Sequence, residues 1–247
     1  MVKMTSEQWA EEFYREQMAV FEHLGEPPKE IFDQLAEELL EQSGRNIQSC
    51  LDLGASTGQV GQALAKSVPQ VTTIELVPEL VAKAKEHNPQ NIRALTGSFY
   101  HLDLKEEFDL ITYLDGFGLG DDDEQLWLLK RIRNWVADQG VALIDIYNPD
   151  YWQKVKGQAM NFSEIKHVYD YENSTNCMID RWTYPDGKTY QQTLKCYTPD
   201  QIFELCRKAE LHVLAYFPNG RMDYEKMCYI ETASLSDCMS YRIKIVK

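Results

Sequence analysis

The sequence is poor in basic residues, and this limits the partners that it can bind. Its 247 residues include 25 lysines and arginines against 39 aspartates and glutamates, which gives a formal net charge of -14. A surface of that sign repels phosphate backbones. The densest basic run, Lys130, Arg131 and Arg133, has the spacing of a solvated helix face. We therefore expect no nucleic-acid partner.

Cysteine pairs and long apolar runs are also lacking. None of the six cysteines forms a C-x-x-C pair, so zinc-site spacing is absent and we expect no metal. No apolar run approaches the length of a membrane span, and the charged N-terminal residues lack the apolar core of a signal peptide. We expect a cytoplasmic protein with free thiols and no membrane partner, present as a monomer or homodimer.

Strand and helix periodicities alternate through the middle of the chain. Strands are predicted at 49–53, 71–75, 92–96, 108–114 and 141–147, with helices at 58–67, 78–88 and 124–136. This order predicts an α/β fold with a Rossmann-like parallel sheet, an antiparallel last strand and helices on both faces. Closing strands are predicted at 211–217 and 226–232, with 242–246 as a candidate for one more.

The two ends of this pattern carry additions. Amphipathic helices at 6–24 and 31–40 predict an N-terminal helical cover over residues 1–45, ahead of one domain at 46–247. After the fifth strand, turn signals such as Pro185-Asp186-Gly187 separate segments rich in Tyr, Thr and Trp. They predict an antiparallel β insertion at 148–197, which would act as a lid or a substrate-binding element.

The loop after the first predicted strand is rich in small residues. It runs Leu51-Asp52-Leu53-Gly54-Ala55-Ser56-Thr57-Gly58 and opens a helix. Small residues let a backbone turn tightly and approach a ligand closely. Asp52 places a carboxylate beside this loop, which disfavours a diphosphate and suits a cationic ligand.

These residues resemble the motifs of the class I S-adenosylmethionine (SAM)-dependent methyltransferases that act on small molecules. Asp52, Gly54, Ser56 and Gly58 stand at the positions of the first motif, (D/E)-x-G-x-G-x-G, with serine in place of the middle glycine. Glu75 stands at the second acidic position, Gly97-Ser98 at the third motif, and Phe108-Asp109-Leu110-Ile111 at the fourth. The resemblance covers about 49–147 and implies SAM as cofactor and S-adenosylhomocysteine (SAH) as product.

The resemblance also implies a role for each residue around the cofactor. Glu75 would face the ribose hydroxyls, Leu76 and Phe99 the adenine ring, and Ser98 its amino group, while Tyr14 would reach the methionine carboxylate. The full set is Tyr14, Asp52, Gly54, Ala55, Ser56, Gly58, Glu75, Leu76, Ser98, Phe99, Leu114 and Asp115. Packing remains the alternative role for Tyr14 and Phe99.

Ligands of open α/β sheets bind beyond the carboxyl ends of the strands, and this places the remaining candidates. The catalytic candidates are Asp115, Tyr147 and His101. The substrate-binding candidates are Gly116, Tyr147, Asn148, Trp152, Tyr169 and Arg181. His167 is a further candidate base, and Asp180 with Arg181 could grip a polar substrate. Turn formation, core packing and simple surface positions remain the alternatives for these residues.

The sequence therefore predicts a SAM-dependent methyltransferase that transfers a methyl group to a nitrogen or oxygen of a small metabolite by in-line displacement. The aromatic insertion and the acidic balance favour an amine or an aromatic compound as substrate. Two alternatives stay open: an NAD-dependent oxidoreductase on the same fold class, and a non-catalytic SAM-binding module.

Overall fold

The computed structural model describes residues 6–25 and 27–247 of the chain. Strands and helices alternate from β1 to β5, as the periodicity predicts. The elements in chain order are α1 (Ser6–Leu24), α2 (Lys29–Ser43), β1 (Ser49–Leu53), α3 (Gln59–Leu64), β2 (Gln70–Glu75), α4 (Pro78–His87), β3 (Ile92–Thr96), β4 (Phe108–Tyr113), α5 (Asp122–Trp135), β5 (Val136–Tyr147), α6 (Pro149–Lys154), β6 (Ala159–Phe162), β7 (Ile165–Glu172), β8 (Cys177–Thr183), β9 (Thr189–Lys195), α7 (Pro199–Lys208), β10 (His212–Pro218), β11 (Arg221–Asp223), β12 (Cys228–Ile230) and β13 (Ser240–Val246).

Seven strands form the central sheet in the order β3-β2-β1-β4-β5-β13-β10. Strands β1 to β5 run parallel, and β13 runs antiparallel to both of its neighbours. The strand order reverses between β1 and β4, so the loops after these two strands diverge and leave a crevice at the carboxyl edge. The predicted Rossmann-like sheet with an antiparallel last strand is confirmed.

Helices cover both faces of this sheet. On one face, Leu110 of β4 packs in a cluster with Leu39 of α2 and Leu64 of α3. On the other face, the next residue of the same strand, Ile111, packs in a cluster with Leu128 of α5. Successive strand residues point to opposite faces, so a strand covered on both sides needs a continuous apolar run.

A buried arginine ties the last strand to its neighbours. Arg242 of β13 is 3% exposed. Its Nε donates to Asp145 Oδ1 of β5 at 2.8 Å, and its guanidinium also donates to Glu38 Oε1 of α2 at 3.0 Å. A buried charge persists when it is paired and hydrogen-bonded, so these contacts hold β13 and β5 against α2.

The chain after β5 leaves the central sheet and builds a second layer. Strands β6 to β9 form a separate antiparallel sheet in sequential order. The predicted antiparallel insertion after the fifth strand is thereby confirmed, whereas the short helix α6 that precedes it is an addition to the prediction. Residues of β9 contact α1, and residues of β7 contact α6, so this insertion sheet lies over the crevice.

Residues 226–232 do not close the central sheet, which corrects the prediction. Strand β12 pairs instead with β11 in a two-stranded hairpin, and β13 takes the place beside β5. Both segments are rich in apolar residues, and such a run predicts a strand without indicating which strand it pairs with.

The predicted division into 1–45 and 46–247, with 148–197 as a lid, stays a prediction. Residues 1–5 and 26 of the first segment lie outside the described residues. Within the described ranges, no helix has the length and apolar character needed to span a bilayer.

Candidate active site

The loop after β1 is a tight turn whose backbone amides are bonded within the protein. The N–H groups of Gly54 and Ala55 both donate to Ile74 O, at 2.9 and 3.0 Å, and Gly58 N–H donates to Ala55 O at 2.8 Å. Gly54, Ser56 and Gly58 have φ of 69°, 51° and 83°. This left-handed region favours glycine, and a residue with a side chain loses roughly 1–2 kcal/mol there. Ser56 therefore adopts the conformation that suits the glycine of the family motif.

Glu75 at the end of β2 bridges this loop and the next one. Its side chain is buried, and its Oε2 accepts from Ser56 N–H at 2.8 Å while its Oε1 accepts from Val77 N–H at 2.9 Å. Burial raises the pKa of Glu75, and the backbone N–H donors lower it. Each carboxylate oxygen accepts more than one hydrogen bond, so Glu75 retains acceptor capacity for ligand hydroxyls.

Asp52 lies below the loop, in the middle of the sheet. It is 3% exposed, and Oδ1 accepts from Thr112 Oγ1 of β4 at 2.7 Å. Burial raises the pKa of Asp52 to about 7; the Thr112 hydrogen bond lowers it and the charge of Glu75 raises it. Thr112 was missed by the sequence reasoning, although the pairing of β1 with β4 sets it directly opposite Asp52.

Among the described residues, no lysine or arginine forms an ion pair with Asp52 or Glu75, and no cation contributes to the pKa of either group. Two acidic groups thus share one buried region without a protein counter-charge. Such a region has an electrostatic preference for a cationic ligand.

Asp115 and Tyr147 meet where β4 and β5 end side by side. Asp115 follows β4 with φ of 53°, and its Oδ1 accepts a hydrogen bond from the Tyr147 hydroxyl. The Asp115 carboxylate is open to the crevice, but protein surrounds it on the other sides. This partial removal from water raises its pKa to about 6; the Tyr147 hydrogen bond lowers it, and the charges of Asp145 and Asp180 raise it further. Asp115 is therefore placed to accept a proton near neutral pH.

Tyr113 forms the floor beneath these loops and was not predicted. Its hydroxyl donates to Gly116 O at 2.6 Å. A Cβ at Gly116 would lie 2.8 Å from Tyr113 Cε2, and one at Gly54 would lie 3.6 Å from the same atom. The predicted substrate residue Gly116 is thus a position where the backbone lies directly on a ring, and only glycine fits without a shift.

Tyr14 joins the N-terminal helix to the insertion across the crevice. Its hydroxyl accepts a hydrogen bond from Gln192 Nε2 of β9 at 2.7 Å. Burial raises the pKa of Tyr14, and the charges of Asp115 and Glu75 raise it further. Tyr14 therefore lies close to both acidic groups, as its predicted place beside the cofactor requires. Gln192 was missed because its contact with Tyr14 spans most of the chain.

The other predicted cofactor residues lie in the loops around this centre. Ser98 Oγ accepts from Tyr100 N–H at 3.1 Å, and the Phe99 ring packs edge-on against Tyr113, with centroids 5.0 Å apart. Leu76 is half-buried against the same core cluster as Tyr113, while Leu114 packs with the cluster under α2 and α3. Their predicted contacts with adenine and methionine stay predictions.

Two predicted substrate residues have structural roles instead. Asn148 is 2% exposed; its Nδ2 donates to Leu235 O and Cys238 O, each at 3.0 Å, and its Oδ1 caps α6. Trp152 is also 2% exposed, and its Nε1 donates to Met239 O at 3.0 Å. The polar atoms of both side chains are hydrogen-bonded within the protein, so these residues stabilise the surrounding structure rather than contact a substrate.

Arg181 points away from the crevice, whereas the predicted catalytic role of His101 stays a prediction. Arg181 is on the outer face of β8, where Nε and the guanidinium donate to Gln191 Oε1 at 3.3 and 3.1 Å. Neighbouring strand residues point to opposite faces, so Arg181 and Asp180 do not face one substrate together. His101 is exposed in the turn after β3, and the pair of Asp115 with Tyr147 forms without it.

Comparison with known proteins agrees with this arrangement. Residues 50–140 match the Methyltransf_25 family model, which describes a methyltransferase domain. Release factor glutamine methyltransferase from Aliivibrio fischeri is 30% identical over 100 residues, a match that covers 36% of this chain and 35% of that protein.

Solved structures extend the likeness to the whole fold. The CcbJ methyltransferase from Streptomyces caelestis is 17% identical with a TM-score of 0.70, over 90% of this chain and 91% of that one. SAM-bound CalS10, an amino pentose methyltransferase from Micromonospora echinaspora, is 17% identical with a TM-score of 0.64, over 94% of this chain and 96% of that one. The resemblance to the class I methyltransferases is confirmed: residues 50–140 match a methyltransferase domain, and the chain around them has the Rossmann-like fold of these enzymes.

Proposed function

We propose that this chain is a SAM-dependent methyltransferase that transfers a methyl group to a nitrogen or oxygen of a small molecule. One observation carries the proposal: two carboxylates, Asp52 and Glu75, lie at the loop after β1, and four of the backbone N–H groups of that loop already have acceptors within the protein. The N–H groups of Gly54, Ala55, Ser56 and Gly58 all have acceptors in the protein, and Ser56 donates to Glu75 itself. A diphosphate needs such amides as donors, whereas a nucleoside with a cationic group suits the two acids.

The residues present fit SAM in charge and in hydrogen-bonding character. Glu75 would accept from the ribose hydroxyls, Asp52 would offset the positive charge, and Tyr14 would hold the methionine end. SAM, when bound, supplies a methyl carbon activated by the adjacent positive sulfur. The protein's own part is to align the acceptor, exclude water and take up a proton. Asp115 with Tyr147, beside that position, supports the last role.

A small acceptor agrees with the way the insertion sheet covers the crevice. CalS10 is named as an amino pentose methyltransferase, and its likeness over nearly the full chain supports a small acceptor here. The proposal includes no nucleic-acid partner, because the net charge of -14 repels phosphate backbones. It also keeps the sequence predictions of no membrane partner, a cytoplasmic location and a monomeric or homodimeric state.

Calorimetric titration with SAM, SAH and NADH tests the cofactor. We expect SAM and SAH to bind, NADH to bind far more weakly, and Glu75→Gln to weaken SAH by about tenfold or more. Glu86→Gln, at an exposed position on α4, serves as the matched control and should bind as the wild type does. Preference for NADH over SAH would replace this proposal with the oxidoreductase alternative.

Turnover is tested separately with a panel of amines, phenols and carboxylates, followed by mass spectrometry for an added methyl group. We expect methylation within one of these classes. Tight SAH binding with no methylation of any class would support a non-catalytic SAM-binding module and contradict the proposed enzyme.

A further inference from the structure

The face of the insertion sheet that points into the crevice carries one carboxylate and no lysine or arginine. Its cross-strand register and burial define this inner face, which consists of His167, Tyr169, Tyr171, Met178, Asp180, Trp182, Tyr190, Gln192 and Leu194. Asp180 lies at its centre, between Tyr169 on one side and Gln192 on the other. Gln192 bonds to Tyr14, so this row of residues faces the cofactor side of the crevice.

Asp180 is held in place by its neighbours through one oxygen. It is 5% exposed, and Oδ1 accepts from Trp182 Nε1 at 2.9 Å. The Nε2 atom of His167 also contacts Oδ1. Both contacts fall on the same atom, so Oδ2 carries neither of them. A buried carboxylate oriented in this way is costly unless a further partner offsets its charge.

The charge of Asp180, on the insertion sheet, acts on Asp115, which lies in the loop after β4. After burial, the charge of Asp180 is among the influences that raise the pKa of Asp115. Burial and then the charge of Asp180 raise the pKa of Tyr169, and Asp115 also contributes. Tyr169 lies directly opposite Asp180 in the register of β7 and β8. Its ring packs on Trp152, which packs on Tyr147 beside Asp115. Ring contacts and electrostatics together therefore place the two carboxylates in one region of the crevice.

A continuous row of rings connects the two carboxylates. From Tyr147, the bonding partner of Asp115, the row passes through Trp152, Tyr169 and His167 to Trp182, the bonding partner of Asp180. Successive ring centroids are 5.6, 4.8, 4.4 and 5.1 Å apart. Aromatic faces attract cations, and more strongly where water is excluded.

We propose that the methyl acceptor is a small primary or secondary amine, bound as its ammonium ion between Asp115 and Asp180, beside the partly exposed rings of Tyr147 and Tyr169. This inference rests on the proposed function and names its substrate class. A carboxylate acceptor would meet two like charges. A neutral alcohol would leave Asp115 without a lysine or arginine partner among the described residues, and would leave Asp180 with only His167, which is charged only if protonated. An ammonium ion supplies that charge and donates to both acids.

The chemical step follows from this arrangement. The bound ammonium gives one proton to the Asp115 carboxylate, which frees the nitrogen lone pair. The nitrogen then forms its bond to the methyl carbon of SAM as the carbon–sulfur bond breaks, and that bonding pair stays on sulfur. The product is the N-methyl ammonium ion with neutral SAH, and the proton on Asp115 passes to solvent. Asp180 takes no part in bond making and acts by holding the ammonium ion.

The experiment measures binding of matched probes to the SAH-saturated protein, without turnover. Benzylamine, benzyl alcohol and benzoate share one ring and differ in the group that meets the acids. Ligand-observed NMR titration should rank benzylamine at least about tenfold tighter than either of the others. Equal affinities, or a preference for the alcohol or benzoate, would overturn the proposal.

Variants locate the preference. Asp180→Asn should weaken benzylamine by about tenfold or more while SAH and benzyl alcohol bind as before. Arg181→Gln changes the neighbouring residue on the outer face and should leave all three affinities unchanged. If Asp180→Asn lowers SAH and benzyl alcohol binding to the same extent as benzylamine, Asp180 has only a structural role and the assignment fails.

If the Asp180→Asn variant does not fold, the order of affinities of the three probes for the wild-type protein still tests the proposal. Failure of the wild-type protein to bind SAH would instead contradict the proposed function, so the two failures are distinct.

Discussion

Replacing Asp52 by asparagine should make the fold relatively more stable at alkaline pH than at acidic pH. Burial raises the pKa of Asp52 from 3.8 to about 7 in the folded chain, and unfolding returns it to its ordinary value. Between these two values the folded state binds more protons than the unfolded state. The contribution of Asp52 therefore lowers stability as pH rises from about 4 to about 7.

The magnitude follows from the difference between the two pKa values. One pKa unit corresponds to about 1.4 kcal/mol, so the ionised Asp52 removes about 4 kcal/mol at about pH 8 and about 1.7 kcal/mol at about pH 5. The asparagine oxygen still accepts from Thr112. The unpaired amide group of the asparagine costs about 1–3 kcal/mol. This cost is the same at both pH values, so it cancels when the two are compared. Asp52→Asn should therefore gain about 2–3 kcal/mol relative to wild type between these pH values.

Urea denaturation followed by tryptophan fluorescence, at both pH values and without cofactor, measures this difference. The chain has five tryptophans as reporters. Asp138→Asn, at a carboxylate whose side chain is 93% exposed, is the control and should show no such dependence on pH. An Asp52→Asn effect of the same size at both pH values would refute the argument that burial holds this carboxyl partly protonated.

Three further predictions concern single side chains. Arg242→Ala should lower the free energy of unfolding by about 3–5 kcal/mol in urea denaturation, because it leaves the Asp145 carboxylate of β5, whose side chain is 11% exposed, without its partner; a change within experimental error would contradict this. Gly116→Ala should cost about 1–3 kcal/mol in the same assay, since its Cβ would overlap the ring of Tyr113, and an unchanged midpoint would show that the ring moves aside freely. Tyr147→Phe removes a hydrogen bond that lowers the pKa of Asp115, so the acid limb of kcat/KM should move to higher pH; movement to lower pH would exclude Asp115 as the base.

The elements around the loop after β1 were predicted well because their signals are local in the sequence. A strand, a turn of small residues and an acid at the next strand end follow each other within a short stretch, and the parallel β-α order then fixes their neighbours. Even the replacement of glycine by Ser56 kept the left-handed turn that the motif requires.

The side of the crevice that we propose to hold the acceptor was harder to predict, because its contacts join residues that are far apart in the sequence. Gln192 meets Tyr14 across 178 positions, and nothing in the sequence near either residue points to the other. Asn148 precedes a proline, and this pattern is typical of a helix cap as well as of a pocket residue. The structure shows that Asn148 is buried and caps α6. Successive residues of β8 point to opposite faces of the sheet, so Asp180 and Arg181 lie on opposite faces. This difference could be predicted once the strand itself was predicted.

The hydrogen bond between Tyr147 and Asp115 joins two segments of the chain whose sequences could vary independently. Residues 50–140 match the methyltransferase domain and include the loops after β1, β2 and β4, whereas the insertion, with its row of rings, begins only after β5. If the proposed function holds, natural variation in the insertion would alter which acceptor enters, while the loops that we propose to hold the methyl donor stay as they are. Exchange of this segment between related chains, with Tyr147 and Asp115 retained, is the natural route to new acceptors on this scaffold.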